Sequence, residues 1–176
     1  MPSLNPSPLG SKRNSNGKMK YKQGYFIPKN TEKYIGQTPI KYRSSWELAF
    51  CHWCDLNNNV AKWSTESIMI PYQLSDINGG VTNHRYIPDF YVELISAKDP
   101  EKNDRIVIEI KPFKETSYPE PPKKETTKAF ENYAYSLKSF KVNLFKWAYA
   151  KEWCEKRHMK FVIITEKDLK NRGIIL

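Results

Sequence analysis

Arg85-Tyr86-Ile87-Pro88-Asp89-Phe90 and, further on, Ile106-Val107-Ile108-Glu109-Ile110-Lys111-Pro112 are the stretches on which the reading of this chain turns. Strand alternation points Glu109 and Lys111 to one side and Ile108 and Ile110 to the other, leaving the first pair for chemistry and the second for packing. In the preceding strand Asp89, Tyr91 and Glu93 share a face, with Phe90, Val92 and Leu94 opposite. A hairpin closed through the polar Ser96 to Arg105 connection sets Asp89 across from Glu109 and Lys111. Pro88 favours an extended neighbour and lacks a ladder donor, which suits a bent or edge position open to an ion. Two carboxylates with an ammonium two positions beyond the second can hold a divalent metal and direct water at a phosphodiester. The same residues could merely solvate a hairpin, with Lys111 paired to Asp89. Their neighbours Phe90, Val107 and Ile108 argue for core strands, where charges call for a metal or partners.

Working upstream, Lys41-Tyr42-Arg43 leads into Ser44-Ser45-Trp46-Glu47, a helix start with Ser44 as N-cap, and the helix runs to Asn57-Asn58-Asn59. Trp46, Ala49, Phe50 and Trp53 form its apolar stripe, with Glu47, Cys51 and Cys54 off it. Ser44-x-x-Glu47 is also a capping box in which Glu47 reaches back to the Ser44 amide. Taken by itself Glu47 is a cap, and its candidacy as a site residue rests on the acids downstream. Trp63 through Gln73 reads as one short apolar strand, and Asn78-Gly79-Gly80 as a turn into the Asp89 strand.

Downstream, Pro119, Pro121 and Pro122 make the segment from Pro112 to Thr127 an irregular surface excursion beside the site. Lys114, Lys123 and Lys124 make it either a DNA-contacting loop or a plain linker. Lys128 to His158 has helical spacing. Its aromatics, Phe130 through Trp153, are assigned to core rather than to a base-stacking platform, while Lys138, Lys141, Lys146 and Lys151 take other faces. Phe161-Val162-Ile163-Ile164 reads as a final buried strand, and Thr165-x-x-Asp168 as a cap. The order is α-β-β-β-α-β, a mixed α/β fold.

The chain has 176 residues, enough for one domain with a sizeable core. Its 29 Lys and Arg against 19 Asp and Glu give a net charge of +10, which predicts a polyanionic partner, nucleic acid before membrane. No apolar run approaches the roughly 18 residues of a membrane span, and no signal-peptide core opens the chain. Met1 to Asn30 holds Lys12, Arg13, Lys18, Lys20, Lys22 and Lys29 with no acid, and reads as a disordered basic arm that tracks phosphates ahead of a folded domain over 31–176. Arg43, Arg85 and Lys114 join the arm's cations as the DNA-contacting set. Three cysteines do not make a disulfide framework and point to a reducing compartment. Cys51-x-x-Cys54 and Cys154-x-x-x-His158 have zinc-like spacing, but both fall within helices, so buried inert thiols are expected instead of structural zinc.

With Glu47 on the first helix, Pro88-Asp89 on the second strand and Glu109-x-Lys111 on the third, the chain resembles the PD-(D/E)xK nuclease superfamily. Within it the chain is similar to the head completion nucleases of T4-like tailed bacteriophages and, more distantly, to the nuclease subunit of Tn7-type transposases. The likeness runs through Tyr42-Arg43-Ser44-Ser45-Trp46-Glu47, Trp63-Ser64-Thr65-Glu66, Ile70-Pro71-Tyr72, Arg85 to Phe90, Glu109 to Pro112, Asn143-Leu144-Phe145-Lys146-Trp147 and Thr165-Glu166. It implies a restriction-endonuclease-like core. It also implies Mg²⁺, with Mn²⁺ as a substitute, held by Asp89, Glu109 and the Ile110 carbonyl, Glu47 binding or orienting it, and Lys111 positioning or activating water. The implied reaction is hydrolysis of double-stranded DNA to 5′-phosphate and 3′-hydroxyl ends. The implied setting is late virion assembly, beside head or neck proteins, in the virion or host cytoplasm. Two other readings share the fold and charge: a catalytically silent DNA-end-binding head protein, and a transposon end-cleaving subunit. The latter would need a partner transposase and a further DNA-binding domain, for which a chain ending at Leu176 leaves no room.

Overall fold

The computed structural model describes residues 23–75, 79–97, 99 and 102–175. Its centre is a four-stranded sheet in the order β3-β6-β7-β8, made of β3 (Val60–Thr65), β6 (Phe90–Ile95), β7 (Asn103–Ile110) and β8 (Lys160–Ile164). The first three strands pair antiparallel, and β8 joins β7 in parallel after a helical crossover. Helix α1 (Ser45–Leu56) precedes β3, and helix α2 (Thr127–Glu155) supplies the crossover. The expected αβββαβ order is therefore the skeleton of the molecule.

One face of the sheet packs on α1 and on the short α3 (Glu166–Asn171). Phe50, Cys54, Phe90, Val92, Ile108, Ile110 and Leu169 form that core, with the Phe50 and Phe90 rings 4.8 Å apart, edge to face. Strand alternation thus sends Ile108 and Ile110 where the sequence put them. The opposite face is not the wet face expected from the sequence. The C-terminal part of α2 lies on it and buries Val107 with Cys154 and Met159. A residue on the same side as Glu109 is therefore fully enclosed.

Between β3 and β6 the chain inserts a hairpin, β4 (Ile70–Ser75) against β5 (Val81–Tyr86), which packs on α2 through Ile70, Tyr72, Tyr86 and Ala150. The single strand expected over Trp63–Gln73 is thus two strands. Glu66 breaks them with a left-handed φ of 47°, an uncommon conformation for a non-glycine residue. Correspondingly, the Gly79-Gly80 turn leads into β5, and Asp89 sits one residue ahead of β6 after Ile87-Pro88.

Three further expectations need revision. Residues 24–30, assigned by composition to the arm, are folded: β1 (Gly24–Phe26) pairs with β2 (Ile40–Tyr42), and Phe26 is core. A Cβ at Gly24 would lie 2.6 Å from the Tyr42 hydroxyl, so any larger residue there must displace the Tyr42 side chain. Asp55, wholly buried at the end of α1, anchors the segment by accepting from the Lys29 and Asn30 amides at 2.8 and 2.9 Å. The rest of the arm, with Lys12, Arg13, Lys18, Lys20 and Lys22, lies outside the described residues. Second, β8 is expected to be buried, yet among the described residues it pairs with β7 alone as a sheet edge, and Val162 on it is exposed.

The third revision concerns α2. At 29 residues it is about 44 Å long, whereas a five-residue strand such as β8 spans roughly 17 Å. The helix overhangs the sheet, and only Ala150 and Cys154 along it are fully buried. Phe130 and Leu144, expected in the core, are exposed, and so are Tyr135 and Phe145. The cap at Thr165 forms as read: its amide reaches Asp168 Oδ2 at 2.8 Å, and the hydroxyl accepts from the Asp168 amide.

Candidate active site

The site forms where β6 begins and β7 ends. Register pairs Phe90 with Ile108, so the next step along the ladder brings Asp89 to the level of Glu109 and Ile110. Asp89 Oδ2 accepts the Ile110 amide at 2.7 Å, and its own carbonyl accepts the Glu66 amide at 3.0 Å. Asp89 is thus fixed from both sides by backbone. Burial, followed by the Glu109 charge, pushes its carboxyl up to about 8 against the pull of the Ile110 amide, with Glu47 adding to the rise and Lys111 opposing it.

Glu109 is 5 % exposed. One oxygen, Oε1, lies 3.1 Å from Lys111 Nζ, while Oε2 is buried with no hydrogen-bond partner. A carboxylate oxygen left bare in the interior is costly. Burial draws the Lys111 ammonium down, but Glu109 and then Asp89 outweigh it and hold its pKa above the ordinary value. Lys111 is therefore a fixed cation at neutral pH. Its amide continues the ladder to the Ile164 carbonyl at 2.9 Å, which locks the end of β7.

Glu47 stands at the start of α1, close enough for its charge to reach Asp89 and Arg43. It does cap the helix, though not through the Ser44 amide. Glu47 Oε2 accepts the Arg43 amide at 2.7 Å, and Oε1 accepts the Ser44 hydroxyl at 2.9 Å. Both oxygens are engaged, and among the described residues no three acidic, histidine or cysteine side chains gather as a ready cluster for an ion. All three cysteines are buried and free, and burial pushes each thiol up, Cys154 to about 11. His158 is exposed instead.

Two residues near the acids have no part in the sequence reading. Glu66 forms an ion pair with Arg43, and this hydrogen bond comes first in holding the guanidinium above its ordinary pKa. The left-handed backbone of Glu66 lets its amide meet the Asp89 carbonyl while its side chain reaches Arg43. Tyr86, at the end of β5, has a buried hydroxyl without a hydrogen-bond partner. Burial, then the Glu109 charge and hydrogen bonding to the same carboxylate, raise its pKa, so the hydroxyl lies close to Glu109 though outside normal hydrogen-bond geometry. Lys146 of α2 lies over the Tyr86 ring, 5.8 Å from its centre. Both residues fall in stretches singled out above, but only chain folding brings them to the acids.

The remaining cations are spread around this corner. Arg43 borders it through Glu66, Arg85 is exposed on β5, and Lys114 is exposed in the short helical turn after Pro112. No helix among the described residues is long and apolar enough to cross a membrane.

The family described as TnsA-like endonuclease N terminal matches residues 57–166, a span that includes Asp89, Glu109 and Lys111 and begins after Glu47. The head completion nuclease of Enterobacteria phage T4 is 36% identical over 151 residues, covering 85% of this chain and 95% of that protein.

Proposed function

This chain belongs to the TnsA-like endonuclease family, of PD-(D/E)xK type, and on that premise we propose that it is a divalent-metal-dependent endonuclease hydrolysing DNA phosphodiesters. The observation that carries the reading is the bare, buried Oε2 of Glu109 beside a second carboxylate whose ionisation burial and Glu109 oppose. A cation beside these two acids, one of them fixed by the Ile110 amide, would offset their repulsion, and an all-oxygen donor set suits Mg²⁺ or Mn²⁺. Asp89, Glu109 and the Ile110 carbonyl would hold it, with Glu47 acting from the start of α1. Such an ion supplies charge that polarises the phosphoryl group and acidifies water nearby.

The chain's own groups do the rest. Lys111, kept protonated by Glu109 and Asp89, is poorly suited to take a proton; it orients the attacking water and offsets charge that builds on the phosphate. The Ile110 amide holds Asp89 in one orientation, and the Glu66 amide holds the backbone beneath it. A net charge of +10 supports a polyanionic substrate. From the relative in phage T4 we take the biological setting: DNA at a filled phage head, beside head or neck proteins. The products are 5′-phosphate and 3′-hydroxyl ends.

The test is cleavage of supercoiled plasmid with Mg²⁺ or Mn²⁺, its arrest by EDTA, and its loss in Asp89→Asn with DNA binding retained. Equal cleavage by Asp89→Asn and the parent chain overturns the assignment.

A further inference from the structure

Two adjoining cavities run along the overhanging part of α2. One, of about 330 Å³, lies between this helix and the turn after Pro112; the other, of about 270 Å³, continues along the helix to Lys146. They share Tyr135, Ser139 and Asn143, so they form one trough. Each cavity has one lining residue near the site described above. At one end Glu115 lies within electrostatic reach of Lys111, and at the other Lys146 covers the ring of Tyr86.

The lining is unlike a core. Lys114, Lys138 and Lys146 face a single acid, Glu115, and the helix carries no acidic residue between Glu131 and Glu152. The Tyr135 ring is 74 % exposed and Phe140 lies beside it, braced edge to face by Tyr118 at 5.9 Å. Lysines at intervals, an open aromatic face and an amide are the elements that bind single-stranded nucleic acid, through phosphate neutralisation and base stacking. A duplex offers the phosphates but keeps its bases stacked on one another, so Tyr135 and Asn143 would find little to meet there.

Building on the nuclease reading, we infer that this trough takes an unpaired DNA strand at the edge of the cleavage site, with a base stacked on Tyr135 and phosphates along Lys138 and Lys146. The preferred substrate is then DNA with a single-stranded stretch, such as a branch, gap or overhang.

The test uses the full chain carrying Asp89→Asn and fluorescence anisotropy with three probes: oligothymidylate, an abasic strand of equal length, and a blunt duplex. Tyr135→Ala should weaken oligothymidylate binding about tenfold, Tyr135→Phe should restore it, and abasic and duplex binding should change less than about twofold. Lys138→Ala and Lys146→Ala should each lower the salt dependence of oligothymidylate binding by about 0.7 in log–log slope. Equal loss on the duplex would make the trough a duplex rail, and no loss on any probe would remove it as a site; either overturns the proposal. A parent chain that cuts plasmid while Tyr135→Ala binds normally overturns only the trough. One that binds through Tyr135 and never cuts overturns only the nuclease reading.

Discussion

The corner between β6 and β7 and the overhanging part of α2 break the ordinary division of residues in opposite directions. At the corner, Asp89, Glu109 and Lys111 are drawn into the protein, and one carboxylate oxygen is left bare. Along the helix, Phe130, Tyr135, Leu144 and Phe145 are left facing outward. In the main core the rule holds for Phe50, Val92 and Leu169, which are enclosed, and for buried Asp55, which is satisfied by two amides. These two neighbouring departures are the ones that the proposed cation and the proposed strand of nucleic acid would account for.

The sharpest way to break the comparison is at the corner. Asp89→Asn should lower plasmid cleavage by at least about a thousandfold, the scale of losing a preorganised charge at a reaction centre. In EDTA its melting temperature should match or exceed the parent's, because one of two repelling acids is gone. A mutant that still cuts, or that melts well below the parent, would mean that Asp89 is an ordinary structural acid.

Next in size is the contrast in packing. Phe50→Ala should cost about 3–5 kcal/mol in urea unfolding, since it opens a cavity against Phe90 in the main core. Phe145→Ser on the overhang should stay within about 0.5 kcal/mol. Similar costs for the two would show that the overhang is packed.

A smaller effect is expected from pH. The Asp89 carboxyl titrates at about 8 in the fold and near 3.9 in an unfolded chain. Its contribution to stability is therefore complete below about pH 4 and is lost as pH rises through about 8. In EDTA the melting temperature should decline over that interval. Added Mg²⁺ should flatten the decline, because an ion competes with the proton for the same oxygens. A pH profile unaltered by Asp89→Asn would refute this assignment.

The smallest effect belongs to Tyr86. Tyr86→Phe removes a hydroxyl that has no hydrogen-bond partner, so stability should change by less than about 1 kcal/mol in thermal melts. Any change in the Mg²⁺ concentration needed for half-maximal stabilisation would then report on the Glu109 carboxylate beside it.

Much of this was legible in the residues. Pro88-Asp89 and Glu109-x-Lys111 meet as read because strand alternation and a short polar connection leave little freedom in the register. Ser44 and Thr165 cap helices because cap chemistry is local. The β4–β5 insertion was missed because Glu66 is not a glycine, and nothing near it in the chain announces a left-handed turn. The arm was drawn too long because composition does not register that Asp55, far along the chain, collects the amides of Lys29 and Asn30.

By itself, then, the sequence determined the αβββαβ order of the central sheet and its helices, the faces of β6 and β7 and the caps, which follow from spacings of a few residues, and the positive charge, which follows from composition. Tertiary structure alone decided that α2 covers Val107 yet overruns the sheet, that Arg43 meets Glu66, and that Tyr86 stands beside Glu109. Helical periodicity defines a stripe without saying how much of it finds a neighbour. Burial depends on the lengths of elements distant in the chain, and that is settled only when they pack.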